Sequence, residues 1–292
     1  MDNSKLMNSI LLLLEKTSTV LSDDVYKALS EARLREQENS VAQETLSIIL
    51  ESAKCSGESG IPICQDTGSL FVIIRACPSE QVFFIEKAIK KALKNLTERG
   101  VLRQNCVDSI TDKNTGDNIG EHVPQIHFIP WQGPTRISVM FKGGGSENMS
   151  TQYSLPHSEL KAGRDLDGVR KCILDAVFKA QGKGCAPGIL GICIGGDRSS
   201  GMLISKEMLL QRIDTVNESP VLAKLEDTIL EQANSLDIGP MGLGGKTTLL
   251  GIRIGTAGRH PASFFVTVSY SCWATRRSVV ELDDEGGIAQ WL

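Results

Sequence analysis

The chain has 292 residues, 41% hydrophobic and 23% charged, which is ordinary for a globular protein able to bury a sizeable core. Its formal net charge of −4 gives no electrostatic reason to expect nucleic acid, and no run approaches the roughly 20 apolar residues of a membrane helix. The apolar run Ile10 to Leu14 stops at Glu15 and Lys16, too short for a signal-peptide core. A cytoplasmic protein is expected, with neither nucleic acid nor membrane among its partners.

Taken in chain order, roughly the first 58 residues read as helical, with apolar positions at helical spacing through Leu11–Leu14 and again at Leu46, Ile49 and Leu50. Ser22-Asp23-Asp24 reads as a helix start, because short polar side chains cap free backbone amides. The pattern breaks at Ser56–Pro62, and Cys64-Gln65-Asp66-Thr67-Gly68 forms a loop. A strand is predicted at Leu70–Arg75 and a helix at Glu80–Glu98, whose face carries Val82, Ile85, Ile89, Leu93 and Leu96. Asn105–Gly120 is polar and loop-like. Strands follow at Gln125–Ile129 and Arg136–Phe141, the second running into Lys142-Gly143-Gly144-Gly145-Ser146. Leu166–Ala180 has a helical stripe, and Ile189–Ile194 is an apolar strand. Further helices are predicted at Ser205–Ile213 and Val221–Leu236, and strands at Thr248–Ile254 and Phe264–Tyr270. Both kinds of element alternate without repeats, which predicts a mixed α/β (α+β) fold. A helical N-terminal region leads into mixed sheets flanked by helices, with the cysteine loops meeting at strand ends. The chain is treated as one domain over 1–292, and no internal boundary stands out.

Eight cysteines need an account, at positions 55, 64, 77, 106, 172, 185, 193 and 272. In a reducing compartment they are not expected to form a disulfide framework, and no CxxC occurs. Buried apolar thiols, a catalytic thiol, or a metal cluster held by cysteines distant in sequence all remain open. Cys172 and Cys193 fall in apolar stripes and read as core; Cys55 and Cys77 lie at predicted element ends and get the same plain reading. Cys64, Cys185 and Cys272 differ, since each falls in a loop or at a strand end, where binding sites concentrate. Glycines around Cys185 would let backbone approach a bulky group. Three thiolates on a four-iron cluster would leave one iron open for Lewis-acid work.

The segments Pro62–Gly68, Lys142–Asn148, Gly184-Cys185-Ala186-Pro187, and Arg259-His260-Pro261-Ala262 through Ser271-Cys272 resemble, in this order, the N-terminal (α) half of class I fumarate hydratases, a family related to tartrate dehydratase α subunits. The resemblance covers about Gly60 to Leu282. It implies a [4Fe–4S] cluster on Cys64, Cys185 and Cys272, whose fourth iron takes the hydroxyl and carboxylate oxygens of a small dicarboxylate. It further implies substrate contacts from Gln65, Asp66, Arg103 and Gly145, and proton transfer by Asp66 and His260.

Each of these has a plainer reading. Asp66 could only make a turn in its Gly-containing loop. His260 could be a surface histidine beside Pro261, although histidine suits proton transfer near neutral pH. Arg103 could be merely solvated, although its fork matches a carboxylate. Gly143–Gly145 could be a tight turn, or could offer amides to a carboxylate. The run Gly239–Thr247 only imitates a phosphate-binding loop: the motif's first glycine would fall at Pro240, and the following segment reads as a strand.

The expected activity is reversible hydration of fumarate to (S)-malate. Tartrate dehydration, a non-catalytic iron–sulfur subunit and a zinc protein are the alternatives. Because the resembling enzymes carry a second (β) region of roughly one domain's size, a β partner is expected, with α chains paired in an α₂β₂ assembly.

Overall fold

The computed structural model describes residues 2–76 and 80–292. In chain order its elements are α1 (Asn3–Thr19), α2 (Asp23–Arg35), α3 (Val41–Ser59), β1 (Ser69–Ala76), α4 (Glu80–Glu98), β2 (Gln125–Pro130), β3 (Arg136–Lys142), α5 (Gly144–Asn148), β4 (Thr151–Ser154), α6 (Leu166–Ala180), β5 (Gly188–Gly195), α7 (Arg198–Met208), α8 (Pro220–Asn234), β6 (Leu249–Ala257), β7 (Phe265–Ser271), β8 (Arg276–Leu282) and β9 (Ile288–Trp291). The fold is mixed α/β, as the alternating patterns predict. No helix among the described residues is long and apolar enough to cross a membrane.

The chain forms two compact units. The first comprises Met1–Ser22, Ser52–Gly144 and Ala274–Leu292; the second comprises Asp23–Glu51 and Gly145–Trp273. The first is built on a five-stranded sheet of order β2-β1-β3-β8-β9, in which only β1 and β2 run parallel. Leu6, Ile10, Leu13 and Leu14 of α1 and Ile85, Ile89 and Leu93 of α4 pack with Leu70, Val72 and Ile74 of β1 in one core. Phe71 and Ile73 point to the opposite face and are buried too, so β1 reads as a continuous apolar run and not an alternating one.

The second unit is built on a four-stranded sheet of order β4-β7-β5-β6. Every residue of β5 is buried. A Cβ on Gly191 would stand 2.1 Å from the Ser205 carbonyl oxygen, so the glycine is what lets α7 lie against β5. Cys172 and Cys193 are fully buried, and burial pushes both thiols up to about 11, as expected of inert core cysteines. Cys55 is no core thiol: it is exposed on α3. Cys77 lies outside the described residues.

Two segments depart from the patterns. The predicted helix at Ser205–Ile213 begins earlier, at Arg198. The Asp197 side chain caps it, accepting from Ser199 N (2.7 Å) and Ser200 N (2.9 Å), while the Ser200 hydroxyl bonds back to Asp197 N. Strands β4, β8 and β9 are short or polar at their ends and carry little periodicity of their own.

One buried pair lends itself to a stability test. Glu226 and Arg253 are both under a tenth exposed and lie 3.3 Å apart. Glu226 also accepts from Ile254 N (2.7 Å) and Asn217 Nδ2 (2.8 Å). Glu226→Ala leaves the buried guanidinium with only the neutral acceptors Thr215 O (2.6 Å) and Gln211 Oε1 (3.2 Å) and is expected to cost about 3–5 kcal/mol in urea unfolding. A loss below about 1 kcal/mol, the worth of an exposed pair, would show that the charge is not truly buried.

Candidate active site

In the first unit, Cys64 is half-buried in the loop before β1. Ile63 N ties this loop to the end of α1, donating to the Ser18 carbonyl (3.1 Å), and the Ser56 hydroxyl ties the end of α3 there, donating to the Thr19 carbonyl (2.9 Å). Gly68 closes the loop at φ +80, where a Cβ would also strike the Lys142 backbone at 2.8 Å.

Asp66 makes the turn of the plainer reading, its Oδ1 accepting from Gly68 N at 3.0 Å. Its other oxygen reaches further along the chain and accepts from Gly144 N at 2.8 Å. The glycine triplet thus presents an amide to the protein's own carboxylate. Gly143 leaves room for this bond, since a Cβ there would lie 2.9 Å from Asp66 Oδ2 and push the carboxylate aside. With both oxygens held by backbone, the Asp66 carboxylate is fixed in direction, as a proton-transfer group must be.

Gln65 and Arg103 are exposed, so both side chains are accessible to a solute. Arg103 follows α4, and its backbone N donates to the buried Thr67 hydroxyl (3.1 Å), which also accepts from Asn105 Nδ2 (3.0 Å). Buried Asn118 then fastens this segment: its Oδ1 accepts from Asn105 N (2.7 Å), and its Nδ2 donates to the Arg103 carbonyl (2.7 Å).

One residue of this unit escaped the sequence analysis. Arg276, at the start of β8, is 1% exposed, and its Nη1 donates to the Asp66 carbonyl. The arginine holds the Asp66 loop from below the surface. Its place directly after the Cys272 segment was the available signal.

In the second unit, Cys185 precedes β5 and Cys272 follows β7. These strands are antiparallel neighbours, with Ile189 opposite Ser271, so both cysteines fall at the same end of the sheet. Trp273 N donates to the Cys185 carbonyl at 3.3 Å. Positions separated by 87 residues (272 − 185) are thereby brought side by side. Both are half-buried. Cys185 itself is left-handed (φ 54, ψ 63), a strained conformation for a side-chain-bearing residue. Gly145 lies against this loop: a Cβ there would meet the Lys183 carbonyl oxygen at 3.8 Å, an ordinary contact, so space alone does not demand glycine. Burial pushes the Tyr270 phenol well above its usual range, and the Cys272 and Cys185 thiols beside it add to the shift.

His260 is exposed and lies before the opposite end of β7. Seven residues of strand span about 20 Å, so the structure does not bring His260 to Cys272. Its Nδ1 accepts from Ala262 N at 3.1 Å, which leaves Nε2 as the nitrogen facing outward.

The donor chemistry of these thiols suits an iron–sulfur cluster. Three are half-buried at loop or strand ends, and two stand together, unlike the sealed Cys172 and Cys193. Among the described residues no three His, Cys, Asp or Glu side chains gather closely enough for a single ion.

The family model described as fumarate hydratase (Fumerase) matches residues 7–281. A provisionally named class I fumarate hydratase of Geobacillus stearothermophilus is 47% identical over 99% of this chain, which spans 57% of that relative's length. A provisionally named L(+)-tartrate dehydratase subunit alpha of Methanocaldococcus jannaschii is 34% identical over 96% of this chain and 99% of its own. The L(+)-tartrate dehydratase subunit alpha of Escherichia coli K12 is 28% identical over 90% of this chain and 86% of its own. On the extent of the family match and the near full-length correspondence with the archaeal relative, the chain belongs to the fumarate hydratase (Fumerase) family.

Proposed function

We propose that this chain is the α part of an iron–sulfur hydro-lyase that adds water reversibly to fumarate, giving (S)-malate. The observation that carries the proposal is the pairing of Cys185 and Cys272 at one end of the β5–β7 ladder, within a family match that also includes Cys64. Cys64, Cys185 and Cys272 would hold a [4Fe–4S] cluster. Bound there, the cluster supplies a Lewis-acidic iron for the substrate's oxygens.

The chain's own residues do the rest. In hydration, water's oxygen bonds one olefinic carbon, and a proton from an acid of the partner region joins the other. Asp66, fixed by Gly68 N and Gly144 N, takes the proton released by water and returns it in the reverse direction. Arg103 pairs with one substrate carboxylate, and Gln65 and Gly145 bond its remaining oxygens. His260 enters the proposal only through the motif it shares with the family, since in this chain it lies at the far end of β7 from Cys272; its outward Nε2 is the atom that would move a proton. The correspondence with tartrate dehydratase α subunits favours L(+)-tartrate as the second substrate to assay.

The test is anaerobic reconstitution followed by iron, sulfide and activity measurements on both substrates, with the remaining subunit or region supplied. Four irons and four sulfides per chain and turnover of fumarate are expected. Asp66→Asn should keep the cluster and lose a factor on the order of 10²–10⁴ in kcat. His260→Asn should keep the cluster and lose rate as well. Unchanged kcat in both variants would remove these residues from the proton path.

A further inference from the structure

The Cys185 loop is held from two sides, by an aromatic ring and a loop to which the resemblance assigns no role. On one side lies the Tyr270 ring, 2% exposed. A Cβ on Gly184 would stand 2.4 Å from its Cε1, and one on Gly188 2.4 Å from its Cζ. No real Cβ comes so close, so the backbone on both flanks of Cys185 rests on the ring in a way only glycine permits. The ring is itself fixed at its root, where Tyr270 N donates to the Ser150 hydroxyl at 3.2 Å.

On the other side lies the glycine-rich run that imitates a phosphate-binding loop. Met241 N donates to the Ala186 carbonyl at 2.8 Å, and a Cβ on Gly182 would meet the Met241 carbonyl oxygen at 2.5 Å. Between these supports, Cys185 keeps its left-handed backbone, a conformation that persists only where its surroundings enforce it.

We propose that Tyr270 is a positioning residue whose ring acts as a wedge under Gly184 and Gly188, setting the Cys185 thiol against Cys272. This rests on the cluster reading above for its purpose, but the wedge itself can be tested without iron. The work is done by the ring; the hydroxyl is not required.

The metal-free, reduced chain is treated with a bismaleimide of two-carbon span, and the Cys185–Cys272 cross-linked peptide is quantified by mass spectrometry. In parallel, each variant is reconstituted anaerobically and its iron and sulfide are counted. Tyr270→Phe should link and load as the parent does. Tyr270→Ala should link at least tenfold less and take up correspondingly less iron. Tyr153→Ala removes an equally buried ring from the same core, bonded instead to Asp175 at 2.7 Å, and should link as the parent. Should Tyr270→Ala fail to fold by circular dichroism, Gly188→Ala displaces the loop from the opposite direction and should show the same tenfold loss. Parental linking in Tyr270→Ala or Gly188→Ala, or an equal loss in Tyr153→Ala, overturns the wedge. A parent chain that links but binds no iron or sulfide overturns the cluster reading, and the linking yields still decide the wedge.

Discussion

Replacing Cys64, Cys185 or Cys272 by serine, one at a time, is expected to abolish the four-iron cluster, with iron and sulfide after anaerobic reconstitution falling to near zero in each. A serine hydroxyl is a poor, protonated substitute for a thiolate, and a site with one open iron has no spare ligand to lend. Cys172→Ser and Cys193→Ser are the matched controls. Each puts a hydroxyl at a fully buried position and should lose about 1–3 kcal/mol of stability while keeping full iron content. The contrast separates damage to the fold from damage to the site. Normal iron and sulfide in Cys272→Ser would sink the assignment, because Cys272 and Cys185 are the two ligands that the fold sets side by side.

The second large effect concerns what else the reaction needs. The Geobacillus relative has 43% of its length (100 − 57) outside the correspondence with this chain. The groups assigned here offer one exposed arginine to a substrate with two carboxylates. Closing a site around an unpaired carboxylate is costly, so further cationic groups are expected from a partner region. The surface is consistent with that need. Ile61, three residues before Cys64, is 54% exposed, and Met241 and Leu243, on the loop bonded to Ala186, are 40% and 59% exposed. Apolar residues at such places suit an obligate interface. The reconstituted chain alone should therefore hydrate fumarate at no more than a small fraction of the rate reached when the partner region is added. Full turnover by the chain alone, with an ordinary KM, would refute the division of labour.

Much of the architecture was legible in the sequence where local pattern and tertiary burial agree. The stripes of α4 and α6 predict Glu80–Glu98 and Leu166–Ala180, the bounds the structure shows, because each buries one face against a sheet. Strand β8 was not legible, since it opens with Arg276 and Arg277, and only its pairing with β3 makes a buried strand of two arginines. The start of α7 hid behind Gly195-Gly196-Asp197, where the capping carboxylate looks like one more loop residue. In the candidate site, the three cysteines stood out by context. The hold of Gly144 N and Arg276 on Asp66 did not, because these contacts join positions 78 and 210 residues apart. Tyr270 escaped for the same reason. Its neighbours Gly184 and Gly188 look like loop glycines until the ring beneath them is seen.

The placement of β8 has a consequence for synthesis. In the five-stranded sheet, β8 sits between β3 and β9, so it is an interior strand made long after its neighbour β3. At about 5–20 residues per second, the 134 residues from the end of β3 to the start of β8 (276 − 142) take some 7–27 s to synthesise. Through that interval β3 can pair with β1 on one side only, and its other edge presents open backbone hydrogen-bonding groups, a template for pairing with another chain. Nascent chains of this protein should accordingly depend on chaperones that shield strand edges. Truncations that remove residues 276–282 should aggregate, although they leave every proposed cluster ligand in place.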